Sequence, residues 1–299
     1  MKFVGGVGYT NIDLIYSGME RLPSTGEEVY SQGFGMHLGG GVPATLINTT
    51  RLGVPSRILT FIGKDQFSAL AERFYATYDA DIINLYEGDG MPVVVTSVMV
   101  CNNDRSFATY RDDKAVDEAA VCEKIYQHLS GAKVVNMHVG FLDAYKKLKE
   151  EGTILIFDTG WEDDLSTEKY HEYLELADYY LPNQKEALKI TGSQTVEEAA
   201  EKLARYFENT IIKLDKDGCL LKNKDGIRFI PSMKDVVAVD STGAGDAFMS
   251  GFMYGIYHDY PVDQCIRFGN VTGGTCVQGV GCLTKYVSEQ QLLEQAAAL

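Results

Sequence analysis

The residue types best suited to chemistry concentrate in one stretch, Val237–His258, which reads VAVDSTGAGDAFMSGFMYGIYH. A short apolar run ends at Asp240 and reads as a strand end. Ser241, Thr242, Gly243, Ala244 and Gly245 then make a glycine-rich turn, and from Asp246 onward Ala247, Phe248, Met249, Phe252, Met253 and Ile256 recur at helical spacing. The glycines leave consecutive backbone N–H groups uncovered. Together with the positive end of the helix dipole, those donors make an anion site. Asp246, in the first helical turn, sets a carboxylate beside it. Such a pair suits phosphoryl transfer to a hydroxyl: the amides of Gly243, Ala244 and Gly245 hold the transferring group while Asp246 takes the proton. The same residues also describe an ordinary helix start, capped by Asp240 or Thr242, with Asp246 complementing the dipole.

The full string DSTGAGDAFMSGF is longer than a bare GxGD, and it resembles the C-terminal signature of the PfkB carbohydrate kinases, the ribokinase-like family. Earlier stretches resemble other motifs of that family, in the same order along the chain. Gly8, Asn11 and Asp13 reproduce its G-x-x-N-x-D arrangement, which implies a grip on sugar hydroxyls; read alone, Asn11 and Asp13 are turn residues on one face of an extended segment. Gly39-Gly40-Gly41 stands where the family has GGxxxN before a helix ending in RLG. Arg51-Leu52-Gly53 fits, but Ala44, or Thr45 when counted from Gly40, replaces the usual Asn. The backbone amides of Gly39 and Gly40 are left to hold sugar hydroxyls, since glycine permits close approach.

Pro182–Glu186 (PNQKE) resembles the NxxE motif, which implies Asn183 at the nucleotide and Glu186 on Mg²⁺ through water; the pattern is equally a capping box. Ile211–Gly218 (IIKLDKDG) resembles the nucleotide loop, implying contacts from Lys213, Asp215 and Gly218, and Asn270 would lie along the adenine pocket. Gly279, Gly281, Asp240 and Thr242 fall where family members can hold a potassium ion through carbonyls, so the resemblance makes Asp240 and Thr242 its candidate ligands. The segment RSFATYR, from Arg105 to Arg111, is similar to lid segments of the fructokinase and ketodeoxygluconate kinase branches, implying substrate contact by Arg111. Asp158-Thr159-Gly160-Trp161 ends a strand at the expected pocket rim but lacks the DxNxR form of those branches. Trp161 is either a sugar-stacking ring or a loop anchor.

Periodicity supplies the frame that must position these residues. Strands are predicted at 2–8, 56–62, 81–86, 133–138, 153–158, 178–181, 210–214, 219–222 and 227–230. Helices are predicted within 38–53 and at 65–78, 117–129, 142–151, 167–176, 183–191, 195–208, 245–258, 262–278 and 288–298. This alternation indicates an α/β fold, with a predominantly parallel central sheet and helices on both faces. Two β-rich pieces, about 14–37 and 91–111, interrupt it, the second turning at Asn102-Asn103-Asp104. They are read as a small β-sheet lid on a single ribokinase-like kinase domain spanning 1–299.

Bulk properties narrow the partners. The chain has 299 residues, 45% hydrophobic and 23% charged, as soluble globular proteins do. Its formal net charge of −15 argues against nucleic acid and anionic membranes. Six cysteines without a CxxC pair, and no signal peptide or membrane-length apolar run, fit a cytoplasmic enzyme. There is no Walker A motif, because Gly63-Lys64 has Ile58 where the upstream glycine would stand.

These readings converge on ATP-dependent phosphorylation of a hydroxyl of a small unphosphorylated sugar or sugar derivative. Gly41, in place of the lysine of the ribokinase-type motif, and the absence of a basic cluster favour a ketose or aldonate over a phosphorylated sugar. A nucleoside kinase of the same fold is the alternative enzyme. A non-catalytic sugar- or nucleotide-binding regulator is the alternative from another class: Ala44 speaks for it, and the intact Gly243–Asp246 turn against it. A homodimer through the lids is also expected, because Val93, Val95, Val98 and Phe107 would otherwise leave apolar strands uncovered.

Overall fold

The computed structural model describes residues 2–101, 104–112 and 116–299. After β1 (Val4–Val7) come β2 (Asn11–Met19), β3 (Gly33–Gly39), α1 (Gly41–Arg51), β4 (Ser56–Thr60), α2 (Gln66–Tyr75) and β5 (Asp81–Asn84). Then follow β6 (Val94–Cys101), β7 (Asp104–Tyr110), α3 (Glu118–Leu129), β8 (Val134–Met137), α4 (Leu142–Glu150), β9 (Ile154–Phe157), α5 (His171–Leu176) and β10 (Tyr179–Tyr180). The chain continues through α6 (Gln184–Thr191), α7 (Val196–Leu203), β11 (Thr210–Lys213), β12 (Cys219–Asn223) and β13 (Gly226–Ile230), and ends with α8 (Ala244–Tyr257), α9 (Val262–Cys276) and α10 (Glu289–Ala297).

The central sheet has the order β10-β9-β8-β1-β4-β5, and every pairing in it is parallel. Its strands are short apolar runs such as VVNM and ILIF, as expected of strands buried on both faces. Successive residues divide between two cores. Ile58, Val134 and Ile156 pack with Leu46, Phe252, Phe268 and Leu292 of α1, α8, α9 and α10. Their neighbours Leu59, Val135 and Leu155 pack on the other face with Leu129, Leu148, Leu174, Ile190 and Leu203 of α3 to α7. Each fully buried side chain of this kind contributes about 1.5–3 kcal/mol. The antiparallel sheet β11-β12-β13 extends this layer, since Lys213 N donates to Pro182 O and Lys213 bridges to Asn183 in parallel.

A separate four-stranded sheet, β3-β2-β6-β7, stands off the central one; β2 and β6 run parallel, the outer pairs antiparallel. It holds both β-rich pieces, but its strands reach further than 14–37: β2 begins at Asn11 and β3 ends at Gly39. Asn102 and Asn103 of the expected turn lie outside the described residues.

Three other expectations need correction. Residues 237–240 form no strand, because no neighbouring strand is present to pair with; Val239 N and Asp240 N both donate to Val277 O instead. Helix 167–176 is regular only from His171, its first half being a turn. Val93 and Val98 are buried, not outward-facing.

Candidate active site

The carboxyl ends of the parallel strands meet one side of the small sheet, where an open α/β sheet forms its ligand crevice. Tyr9 follows β1, His138 follows β8, Asp158 follows β9, and Asn183 follows β10, while Lys213 closes β11. Facing them, α8 begins at Ala244 with Gly243 as its cap at φ 73°. That left-handed cap demands glycine. A Cβ there would also lie 2.0 Å from Cys282 Cβ.

Asp246 occupies the third position of α8, beside α1. A Cβ on Gly41 would come within 3.2 Å of Asp246 Oδ1, so the glycine leaves the carboxylate open on that side. Lys213 lies on the other flank: a Cβ on Gly245 would come within 3.2 Å of its Nζ. The ammonium is 2.9 Å from Asp158 Oδ2, with the lysine side chain only 12% exposed. Burial opposes its charge, but Asp158, then Glu186 and Asp246, hold the lysine pKa above its ordinary value. The Asp246 carboxyl is pushed up to about 7, first by desolvation and then by Asp158, with Lys213 pulling it back and Asp13 and Glu186 adding repulsion. It keeps some solvent access at the floor of the crevice.

Asn11 and Asp13 lie on the crevice side of the small sheet. Asn11 Nδ2 donates to Asp13 Oδ1 at 2.8 Å, and Thr96 Oγ1 donates to Asn11 Oδ1 at 3.2 Å. Thr96 also shares a 3.1 Å hydrogen bond with Thr109. Asp13 rises to about 6, chiefly through burial, despite the Asn11 hydrogen bond that lowers it. Gly39 stands against this pair: a Cβ there would meet Asp13 Oδ2 at 2.5 Å. Gly40, at φ 101°, caps α1 and lets the backbone pass close to Tyr9 O. Ala44 points into the core, fully buried, and Thr45 reaches α8 instead, through Oγ1 to Asp246 O at 3.2 Å. The Arg111 guanidinium lies 5.5 Å from the centroid of the Tyr9 ring, which in turn meets the His138 ring edge-on.

Not every expected residue converges on the site. Asn183 and Glu186 form a reciprocal capping box on α6, with bonds of 3.0 and 2.8 Å. Even so, the Glu186 carboxyl is pushed up to about 7 by burial and by Asp158, which places it in the same acidic cluster. Asp215 is exposed in a turn at φ 52°, and Gly218 is fixed by its hairpin, where a Cβ would meet Ile230 O at 2.1 Å. The Asn270 amide is used internally, donating to Pro231 O at 2.9 Å and accepting from Cys219 Sγ at 3.4 Å. It therefore braces the wall it was expected to expose.

The segment expected at a potassium ion is tied together by the Asp240 side chain. Asp240 Oδ1 accepts from Thr242 N, Thr242 Oγ1 and Arg105 Nη1, and Oδ2 accepts from Gly281 N. A guanidinium already balances that carboxylate. Three residues of the site were not singled out as site residues from sequence: Asp158, Thr96 and Arg105. Asp158 ends a strand at the pocket rim, and that position signals it; Thr96 pairs in register with Asp13, which only the assembled sheet shows, and Arg105 carries no local signal beyond its lid segment.

A glycine-capped helix start, a lysine against it and a carboxylate beside it thus come together at the crevice. Residues 1–289 match the profile described as pfkB family carbohydrate kinase. The chain belongs to the pfkB family of carbohydrate kinases. Similar relatives include a nucleoside kinase of Methanocaldococcus jannaschii, 23% identical over 99% of this chain and 97% of its own length. A fructoselysine 6-kinase of Escherichia coli is 25% identical over 87% of this chain and 98% of its own. The ribokinase of Arabidopsis thaliana, solved with ribose and ATP, superposes with a TM-score of 0.81 over 99% of both chains at 21% identity, which shows the shared fold. This pfkB kinase is thus a phosphotransferase with an alcohol group as acceptor. Among the described residues, no helix is long and apolar enough to cross a membrane.

Proposed function

We propose that this kinase transfers the γ-phosphoryl group of ATP to a hydroxyl of a small unphosphorylated sugar or sugar derivative bound between Asp13 and Asp246. One observation carries the reading: Asp246 lies against Gly41 and in the field of Asp13, while Lys213 lies against Gly245. Asp13 and Asn11 accept and donate to the acceptor's hydroxyls. Asp246 takes the proton of the reacting hydroxyl as its oxygen attacks the γ-phosphorus. The bond from that phosphorus to the bridging oxygen breaks, and ADP leaves with the electron pair. The amides of Gly243, Ala244 and Gly245, with Lys213, hold the charge on the transferring group.

Besides burial, Asp158, Asp13 and Glu186 all push the Asp246 carboxyl up, and Asp158 pushes up Glu186, so the carboxylates cluster around one lysine as a donor set that suits Mg²⁺–ATP. Glu186, through water, and Asp158 would hold the ion, which neutralises phosphate charge when bound. The small sheet acts as the lid of a single kinase unit spanning 1–299, and two lids pack together in a homodimer. Cys219, Cys265, Cys276 and Cys282 are buried thiols, in keeping with a reducing compartment such as the cytoplasm.

The Tyr9 ring, flanked by His138 and Arg111, favours a second acceptor class, nucleosides, because a base can stack on that surface. A phosphorylation screen with ATP over neutral ketoses, aldonates, sugar–amine adducts and nucleosides, read by ADP release, separates the two. Turnover of a sugar but not of nucleosides is expected. ATP binding with no turnover of any acceptor would leave the regulator reading standing.

A further inference from the structure

Arg105 reaches from β7 of the lid to the loop in front of α8. Its Nη1 is 2.9 Å from Asp240 Oδ1, and the Asp240 side chain is only 8% exposed. Asp240 in turn shapes that loop: Thr242 N and Oγ1 donate to it at 2.9 and 2.7 Å, and Gly281 N at 2.9 Å. Immediately beyond Thr242 lie Gly243, Ala244 and Gly245, which open α8 beside Lys213. The opposing strand β3 makes a second contact, since a Cβ on Gly281 would lie 2.9 Å from His37 Nδ1, and His37 pairs with Asp13 across the lid.

Surface ion pairs contribute little, but this one is not of that kind. Its carboxylate is enclosed, its remaining lone pairs are committed to the loop, and its cation arrives from the lid sheet. The lid that carries the hydroxyl readers Asn11 and Asp13 thus also carries the cation that braces the phosphoryl turn. Burial pushes the Asp240 carboxyl up, but the Gly281, Thr242 and Arg105 contacts outweigh it and hold it below the usual carboxylate range, so it stays ionised.

We propose that Arg105 is a positioning residue that couples the two halves of the site: with the lid seated, its guanidinium locks the Asp240–Thr242 loop and so sets the Gly243–Gly245 amides for transfer. The proposal rests on the kinase reading and adds that turnover depends on this arginine reaching across from the lid.

The test uses the full chain with Arg105→Ala, Arg105→Lys and Asp240→Asn. Arg105→Ala is expected to lower kcat about tenfold to a hundredfold, the scale of a misplaced catalytic group, with the KM for ATP nearly unchanged. Arg105→Lys should recover part of the loss, and guanidinium chloride at low millimolar concentration should partly restore Arg105→Ala. Independently of activity, amide exchange in residues 240–246 of the ligand-free protein should speed up at least tenfold in Arg105→Ala and Asp240→Asn, while β1, β4 and β8 stay protected. Equal exchange in wild type and both variants would overturn the proposal. So would a fall in Tm alone, with kcat unchanged. If the alanine variant fails to fold, Arg105→Lys and Asp240→Asn carry the same comparison. A wild type that phosphorylates nothing would sink the kinase reading, yet the exchange measurement would still decide whether Arg105 braces the loop.

Discussion

At the scale of single residues, Asp246 combines two properties that are hard to obtain together: burial enough to raise its pKa and access enough to meet a hydroxyl. Asp246→Asn keeps the shape and removes the base, so kcat should fall about 10²–10⁴-fold with ATP affinity little changed; steady-state kinetics and ATP titration check this. The raised pKa also sets a pH dependence of stability. Asp13, Asp246 and Glu186 bind protons more tightly folded than unfolded, with folded values of about 6, 7 and 7. Their contribution is fully present below the unfolded values near 4 and is lost as pH rises through 6 to 7. The ligand-free protein should therefore have a lower Tm at pH 8 than at pH 5.5, and Asp246→Asn should shrink that difference. A larger drop in the variant would place the source of the pH dependence elsewhere. On the sugar side, Asp13→Ala should raise the acceptor KM strongly, since an unpaired partner costs about 1–3 kcal/mol, and leave the KM for ATP alone. Arg111→Ala should cost an acidic acceptor far more than a neutral one; equal losses for both would remove Arg111 from acceptor choice. Asp246, Asp13 and Lys213 were legible in the sequence because each belongs to a recognisable string. Arg105 was read only as part of a lid segment, because its partner Asp240 stands 135 residues away and no local pattern records the pairing.

At the scale of elements, the order of strands and helices was legible almost throughout, because buried parallel strands and two-faced helices leave clear periods. The failures share one cause. Residues 237–240 have the apolar alternation of a strand but lack a neighbour to pair with, and pairing is a property of the whole sheet. Asn11 and Asp13 read as turn residues just past the first strand; in the fold they open β2 and so belong to the lid. The α8 turn shows the opposite case, where a local rule and the tertiary fit agree. Gly243 has φ 73°, and its missing Cβ is the space occupied by Cys282. Gly243→Ala should thus combine a left-handed penalty of about 1–2 kcal/mol with overpacking of about 1–3 kcal/mol. A denaturant titration showing that loss is the expected outcome. An unchanged midpoint would mean that the turn can shift without cost, and the anion site would then not be preorganised.

At the scale of the whole molecule, what the lid leaves uncovered becomes a question of assembly. Register decides which lid residues face outward. Leu14 pairs with Met36, Tyr16 with both Phe34 and Met99, and Val95 with Tyr110, so these side chains share the face opposite Asn11 and Asp13. Phe34, Met36 and Tyr110 are 57%, 45% and 55% exposed, and the Tyr16 and Phe34 rings meet at a tilt, 5.2 Å apart. The expected apolar surface is therefore present but built from different residues: Val93 and Val98 turned inward, while Phe107 projects on the substrate side with Asp13. A chain of net charge −15 repels its copies at long range, so a contiguous apolar face that persists against that repulsion is best explained by a partner that covers it. A second copy of the same lid does this with no new surface, through the self-complementary contact of a two-fold dimer. Light scattering at micromolar concentration should give twice the mass of 33.0 kDa, and Met36→Glu with Phe34→Glu should return it to the monomer. Because the same sheet holds Asp13, dissociation should also weaken the acceptor and spare ATP. A wild type that scatters as a clean monomer would rule the assembly out, and would leave the lid's outer face to some other partner.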